Sequence, residues 1–170
     1  MTISQLLLPE FEQEMAATRK LLACVPDEKL AFQPHEKSMT LARLAGHVAE
    51  LPHWAAVALQ TESLEILPGQ KSFIAGSKTE LMATFDKNAA EAHAAIAGAT
   101  DEHFEVEWSL IMGGRKVMTL PRYKVVRTVA LNHLIHHRAQ LGVFLRLNHV
   151  AIPGMYGPSA DDKSLASQPV

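Results

Sequence analysis

One cysteine, Cys24, serves all 170 residues, so no internal disulfide can form and a reducing cytoplasm is the expected setting. Cys24 falls at the end of a helical segment, not at a helix start where its pKa would be lowered, so it is no candidate nucleophile. No apolar run approaches the roughly 18 residues needed to cross a bilayer, which excludes a membrane-spanning helix. The N-terminal stretch Met1–Glu10 has no basic leader and meets Pro9 and Glu10 early, so a signal peptide is not expected. The formal net charge is −2, with no long run of Lys or Arg, and phosphate binding needs a basic stripe. Nucleic acid is therefore not an expected partner. The sequence also lacks a CxxC pair, a Gly-rich phosphate loop and a GxSxG elbow. What remains is a chain of ordinary composition, 48% hydrophobic and 20% charged, long enough for one domain over residues 1–170.

Four segments carry helical periodicity. The first runs from about Ser4 to Cys24, with Leu8, Phe11, Met15, Leu22 and Val25 as its apolar spacing. The second begins near Ser38 or Thr40, either a suitable N-cap, and continues to about Thr61 with Leu41, Leu44, Val48, Leu51 and Ala55 on one stripe. Pro52 inside it predicts a kink. After a loop from Leu67 to Gly76, the third opens on the capping box Ser77-Lys78-Thr79-Glu80 and runs to about Ala97, where Gly98 stops it. The fourth runs from Pro121 to about Asn148, and Pro153-Gly154 ends the helical pattern. Between the third and fourth, Phe104, Val106, Trp108 and Leu110 alternate with polar residues. Met112-Gly113-Gly114-Arg115 then reads as a turn, so Phe104–Leu120 predicts a short β-hairpin or a loop insertion. The last residues of the turn-rich tail are expected to fray. The fold class is all-α, a four-helix bundle with one small insertion before the last helix.

Nine histidines stand out in a chain of this length. His133 and His137 are four residues apart on the fourth helix, so their rings lie one turn apart on one face. Val126, Val129, Ala130, Gln140, Leu141 and Phe144 share that face, which is expected to look inward. Burying two imidazoles among apolar side chains is expensive unless each finds a partner. A shared divalent metal would supply one; hydrogen bonds to neighbouring side chains or water would supply another. His47, in the apolar part of the second helix, is the candidate third ligand, or else a satisfied core histidine. Glu50, three residues on, could orient a ligand's second nitrogen, act as a general base, or stand as a solvated carboxylate. His53 and His136 compete for ligand places, although His136 points about 100° away from His137 around the helix. His35, His93, His103 and His149 are expected to be exposed. Arg138 and Arg146 are expected at the surface or an interface, and Trp54 walls the site or packs in the core.

These residues give the chain a family resemblance. His47, the His133-xxx-His137 pair with its continuation through Arg138, Gln140 and Leu141, and the tail Ile152–Ser159 together resemble the DinB-like superfamily of bacterial four-helix-bundle metalloenzymes. The resemblance covers essentially the whole chain. It implies a metal held by His47, His133 and His137, an up-down-down-up helix order and a homodimer. Characterised relatives include thiol-dependent transferases and isomerases, such as bacillithiol S-transferases and mycothiol-dependent maleylpyruvate isomerase, while many members have no assigned reaction. The family name records induction by DNA damage and not DNA binding. Ala139 stands where many relatives have glycine, a change that should leave the ligands undisturbed.

Three neutral imidazoles leave a divalent ion's charge uncompensated and a coordination position open. Zinc or nickel suits such a site first, with iron or manganese after them. The leading expectation is an enzyme that activates a low-molecular-weight thiol, as cosubstrate, for transfer to a small electrophile, with Glu50 as the catalytic carboxylate. A hydrolase working through metal-activated water is the alternative. A non-catalytic ligand-binding or interaction bundle is another.

Overall fold

The computed structural model describes residues 1–162, so the fraying expected of the last residues lies outside the described ones. The chain is mostly helical with a small three-stranded sheet. Helix α1 spans Ile3–Leu22, opened by a capping box in which Thr2 accepts the Gln5 N–H and the Gln5 side chain returns to Thr2. Helix α2 spans Leu41–Gln60, and Thr40, not Ser38, caps it by accepting the Arg43 N–H. It continues through Pro52 as one helix. Helix α3 spans Lys78–Gly98; Ser77 accepts the Glu80 N–H, but the Glu80 carboxylate returns to the Gly76 N–H instead of that of Ser77.

The predicted apolar stripes meet in one core. Leu41, Leu44, Val48, Leu51 and Ala55 of α2 are all buried, as are Leu81, Phe85 and Ile96 of α3. On α1 the buried positions are Leu7, Phe11, Met15, Leu21 and Leu22, with Leu8 at the edge. Helix α2 packs against α3 and the last helical rod, and α1 packs against α3 and that same rod.

The sheet departs from the expected hairpin at both ends. Strands β2 (Glu107–Met112) and β3 (Arg115–Pro121) are antiparallel about a two-residue turn. Gly113 and Gly114 both take positive φ, 55° and 77°, as the favoured hairpin turn requires. A third strand, β1 (Ser63–Ile66), lies between the predicted end of the second helix near Thr61 and the predicted loop from Leu67, where no element is expected. It pairs parallel to β2, Ser63 opposite Ser109. Phe104, expected on a strand, belongs to the short helix α4 (Asp101–Glu105), which Thr100 caps; its ring is fully buried in the helical core. Burial of that ring outweighs the period-two pattern it seemed to begin. Trp108 does lie on the strand, fully buried against Ala58 and Val125, with its indole N–H donating to the Thr61 hydroxyl at 3.1 Å.

The fourth predicted helix is three pieces: α5 (Arg122–Val125), a π-helical segment (Val126–Asn132) and α6 (His133–Leu147). Val125 packs beside the sheet while Val126 packs in the helical core. The wider π turn re-phases the rod between those contacts and the buried stripe of Leu131, Leu134, Leu141 and Leu145. That stripe is displaced from the one expected. His133 and His137 are half-buried at its flank, and Gln140 is exposed.

Arg138, expected at the surface, fills a position of that stripe and is 3% exposed. Its guanidinium pairs with the Glu14 carboxylate at 2.7 Å and donates to the Glu14 carbonyl and the Thr18 hydroxyl. Tyr156 from the tail completes the group, accepting from Arg138 at 2.7 Å and donating to Glu14 at 2.9 Å. A charge buried this deeply is compensated by its carboxylate partner and these hydrogen bonds. Arg122 is buried as well, and donates to the Ala58 and Thr61 carbonyls at the C-terminal end of α2. Arg146 is exposed and pairs with Asp161.

Candidate metal centre

His47 comes from the middle of α2; His133 and His137 come from the first turns of α6, directly after the π segment. These helices pack against each other, so the His47 ring meets the other two edge to face, those two are tilted to one another, and the centroids lie 4.6–5.0 Å apart. Among the described residues, they form a group of three ligand-type side chains whose donor atoms lie within 4.8 Å of one another. His133 Nε2 is 3.4 Å from His47 Nε2 and 2.9 Å from His137 Nε2.

An outward hydrogen bond fixes the tautomer of one ring. The His137 Nδ1–H donates to Gln140 Oε1 at 2.7 Å, since a carboxamide oxygen can only accept. Burial lowers the His133 pKa, with the Val129 carbonyl opposing it, while the His133 backbone N–H turns to the Ala130 carbonyl, outside the α pattern. With its Nδ1 protonated, His137 turns its Nε2 lone pair to His133 Nε2 at 2.9 Å. A divalent cation between the nitrogens would take up that lone pair. Two nitrogens each about 2.0–2.1 Å from one ion would be about 3.4 Å apart at a tetrahedral angle and about 2.9 Å apart at a right angle. The separations found therefore fit a shared divalent ion.

Electrostatics keeps these rings available as ligands. Burial, followed by the neighbouring imidazoles and Arg43, pushes the His47 pKa down to about 3. Burial also lowers His133 and His137. All three are neutral at pH 7, the form that binds metal.

A cavity of about 640 Å³ opens beside His47, walled by Arg43, Glu50, Trp54, Val57, Leu64 and Phe73 among others. Its volume suits a small organic molecule. Gly46 makes its wall possible: a Cβ there would stand 3.0 Å from the Phe73 carbonyl oxygen and 3.1 Å from the Phe73 ring. Glu50 lies in this cavity. Its oxygens accept from the Phe73 N–H at 3.3 Å and from Arg43 at 3.4 Å, so no hydrogen bond joins it to an imidazole of the group. Burial raises its pKa, against the opposing pull of Arg43 and the Phe73 N–H. Trp54 both walls the cavity and packs on the core.

The competing histidines lie outside the group. His53 is exposed beside Glu91, and exposed His136 meets the His137 ring edge to face while its Nε2 meets the Gln140 amide at 3.2 Å. His35 and His149 are exposed as expected. His93 is half-buried against Glu12, and His103 is half-buried with its Nε2 on the Leu59 carbonyl at 2.7 Å. The expectation of exposure fails for these two, and for His103 the reason is that the last turn of α2 leaves carbonyls in need of donors. Gln140, Val129 and Arg43 are the residues the sequence reading left without a role here. Spacing offered a signal for two of them: Gln140 is three residues after His137, and Arg43 is one turn before His47.

Comparison with known proteins agrees with this architecture. The family model of the DinB superfamily matches residues 10–141. The protein YrdA of Bacillus subtilis, itself uncharacterised, is 24% identical over 159 residues, covering 91% of this chain and 89% of its own. A DinB-like protein from Bacillus cereus has a crystal structure that superposes with a TM-score of 0.68 at 21% identity, covering 88% of this chain and 95% of that one. The DinB-like protein YjoA of Bacillus subtilis superposes with a TM-score of 0.64 at 20% identity, covering 87% and 96%.

Proposed function

The chain belongs to the DinB superfamily, and from that premise we propose that it is a divalent-metal enzyme that activates a low-molecular-weight thiol for transfer to a small electrophile. One observation carries the reading: the imidazoles of His47, His133 and His137 bring ring nitrogens together within 4.8 Å, with His137 held there by an outward hydrogen bond to Gln140. In this reading those three residues are the protein ligands, and a fourth position stays open toward the cavity. Zinc or nickel is the ion we favour, with iron or manganese next. When bound, the ion supplies a Lewis-acid position that lowers the pKa of a thiol.

The chain's own groups do the rest. Gln140 holds the His137 ring against rotation. Glu50 is the proposed general base, its half-buried carboxylate raised above the usual range by burial, taking a thiol proton at Oε2. Trp54, Val57 and Phe73 wall the cavity against water and seat the electrophile. We read the four long helical elements as an up-down-down-up four-helix bundle and residues 1–170 as one domain. The homodimer and the cytoplasmic setting remain part of the proposal. Among the described residues no helix is long and apolar enough to cross a membrane.

The test is turnover by metal-loaded protein of model electrophiles, with and without a small thiol. Turnover that requires both metal and thiol, and disappears in His137→Ala, is the expected result. Turnover without thiol would replace this reading with metal-assisted hydrolysis. A chelated protein that keeps its ligand-binding function would replace it with a non-catalytic bundle.

A further inference from the structure

The cavity beside His47 carries Arg43, Lys71 and Lys87 against Glu50 and Glu91. Glu91 is already shared between His53 at 3.6 Å and Lys87 at 3.9 Å. Arg43 is the cation left under-used. Its side chain is only 23% exposed, yet its contacts are single and long: Nη1 to Glu50 Oε2 at 3.4 Å and Nη1 to the Phe73 carbonyl at 3.4 Å. A guanidinium offers five N–H donors in a planar fork that matches a carboxylate, and here the described contacts engage one nitrogen.

Arg43 also stands where it matters. It lies one turn before His47 on α2, so the two side chains share a face. Its charge reaches both His47 and His137. A divalent ion at those imidazoles would put a second positive centre nearby, with Glu50 the carboxylate that answers Arg43. A neutral occupant would leave that positive charge uncompensated. An occupant with one donor atom for the ion and a carboxylate for the guanidinium fork would balance both centres. Lys71, from the loop before α3, adds a further cation to the same wall.

We propose that this cavity takes small molecules bearing a carboxylate, and that Arg43 is the residue that binds it. The inference rests on the metal reading above and names the substrate class for that site. An incoming carboxylate competes with Glu50 for Arg43 and so releases Glu50 Oε2. Arg43 is then a specificity residue whose main effect is on affinity.

Binding to cobalt-loaded protein tests this without any turnover assay. The probes are 3-mercaptopropionate and thioglycolate against 2-mercaptoethanol and cysteamine, followed by the thiolate-to-cobalt charge-transfer band. The carboxylate thiols should bind about tenfold tighter than the other two, the scale of one charge-assisted pair. Arg43→Gln should remove that preference while cobalt content and 2-mercaptoethanol affinity stay unchanged, and Arg43→Lys should keep part of it. A band of equal strength for all four thiols in the unaltered protein overturns this inference alone, as does a preference that survives Arg43→Gln. Cobalt that fails to bind, or no band with any thiol, overturns the metal–thiol reading and this inference with it. The comparison among thiols in the unaltered protein stands even if the variant does not fold.

Discussion

Replacing Arg138 with methionine should remove a large part of the stability of this fold. The guanidinium reaches the Glu14 carboxylate at 2.7 Å, the Thr18 hydroxyl at 3.1 Å and the Tyr156 hydroxyl at 2.7 Å, with both charged side chains 5% exposed or less. Methionine fills most of the volume but leaves the Glu14 charge buried with Tyr156 as its remaining side-chain donor. Removing one partner of such a pair costs about 3–5 kcal/mol, against about 5–15 kcal/mol for a typical fold. At a slope of about 2 kcal/mol per molar, the urea midpoint should fall by about 1.5–2.5 M. The fluorescence of buried Trp108 reports the transition. Glu14→Met combined with Arg138→Leu should recover most of the loss, because the cost lies in the orphaned charge and not in the missing attraction. Metal content should be unchanged, since Arg138 enters the core while its neighbour His137 faces the metal group. A loss below about 1 kcal/mol for Arg138→Met, or a double variant no better than the single one, would refute this reasoning.

Three further outcomes follow from the site. His47 has a folded pKa near 3, below its ordinary 6.5, so between those values the unfolded chain binds more protons. The metal-free protein should keep its full stability above about pH 6.5 and lose it progressively toward pH 3; urea midpoints at pH 7.5 and 5 measure this, and His47→Gln should shrink the difference. Gln140→Leu frees the His137 ring and should weaken metal affinity about 10–100-fold, with full occupancy regained at high metal, as competition with a chromophoric chelator would show. Gly46→Ala pushes a methyl against Phe73 and should cost about 1–3 kcal/mol while disturbing the Glu50 contact, and thermal unfolding beside carboxylate-thiol binding would report both effects.

The helices were legible because their signals are local. Caps at Thr40 and Ser77 and three-four spacing of leucines settle each element within its own segment. The triad was legible for a related reason: a four-residue spacing puts His133 and His137 together on any helix, and an apolar stripe points His47 inward. Strand β1 was not legible, because its four residues form a strand only by pairing with β2, more than 40 positions away. The π segment follows from two adjacent valines being claimed by different clusters, which no periodicity records. Arg138 was misread because a charged residue on a helix reads as surface until the buried Glu14 facing it from α1 is known. The cavity and its under-used Arg43 depend on how the loop carrying Phe73 folds onto α2, which spacing along one chain does not reveal.

Elemental analysis of tag-free protein, beside the His133→Ala/His137→Ala double variant, tests the central claim most directly. About one divalent metal per chain, lost in a variant that remains folded, is the predicted result. A wild-type protein that takes up no metal even when divalent ions are supplied, or a variant that keeps it, would contradict the account and leave these histidines as polar groups of the helical core.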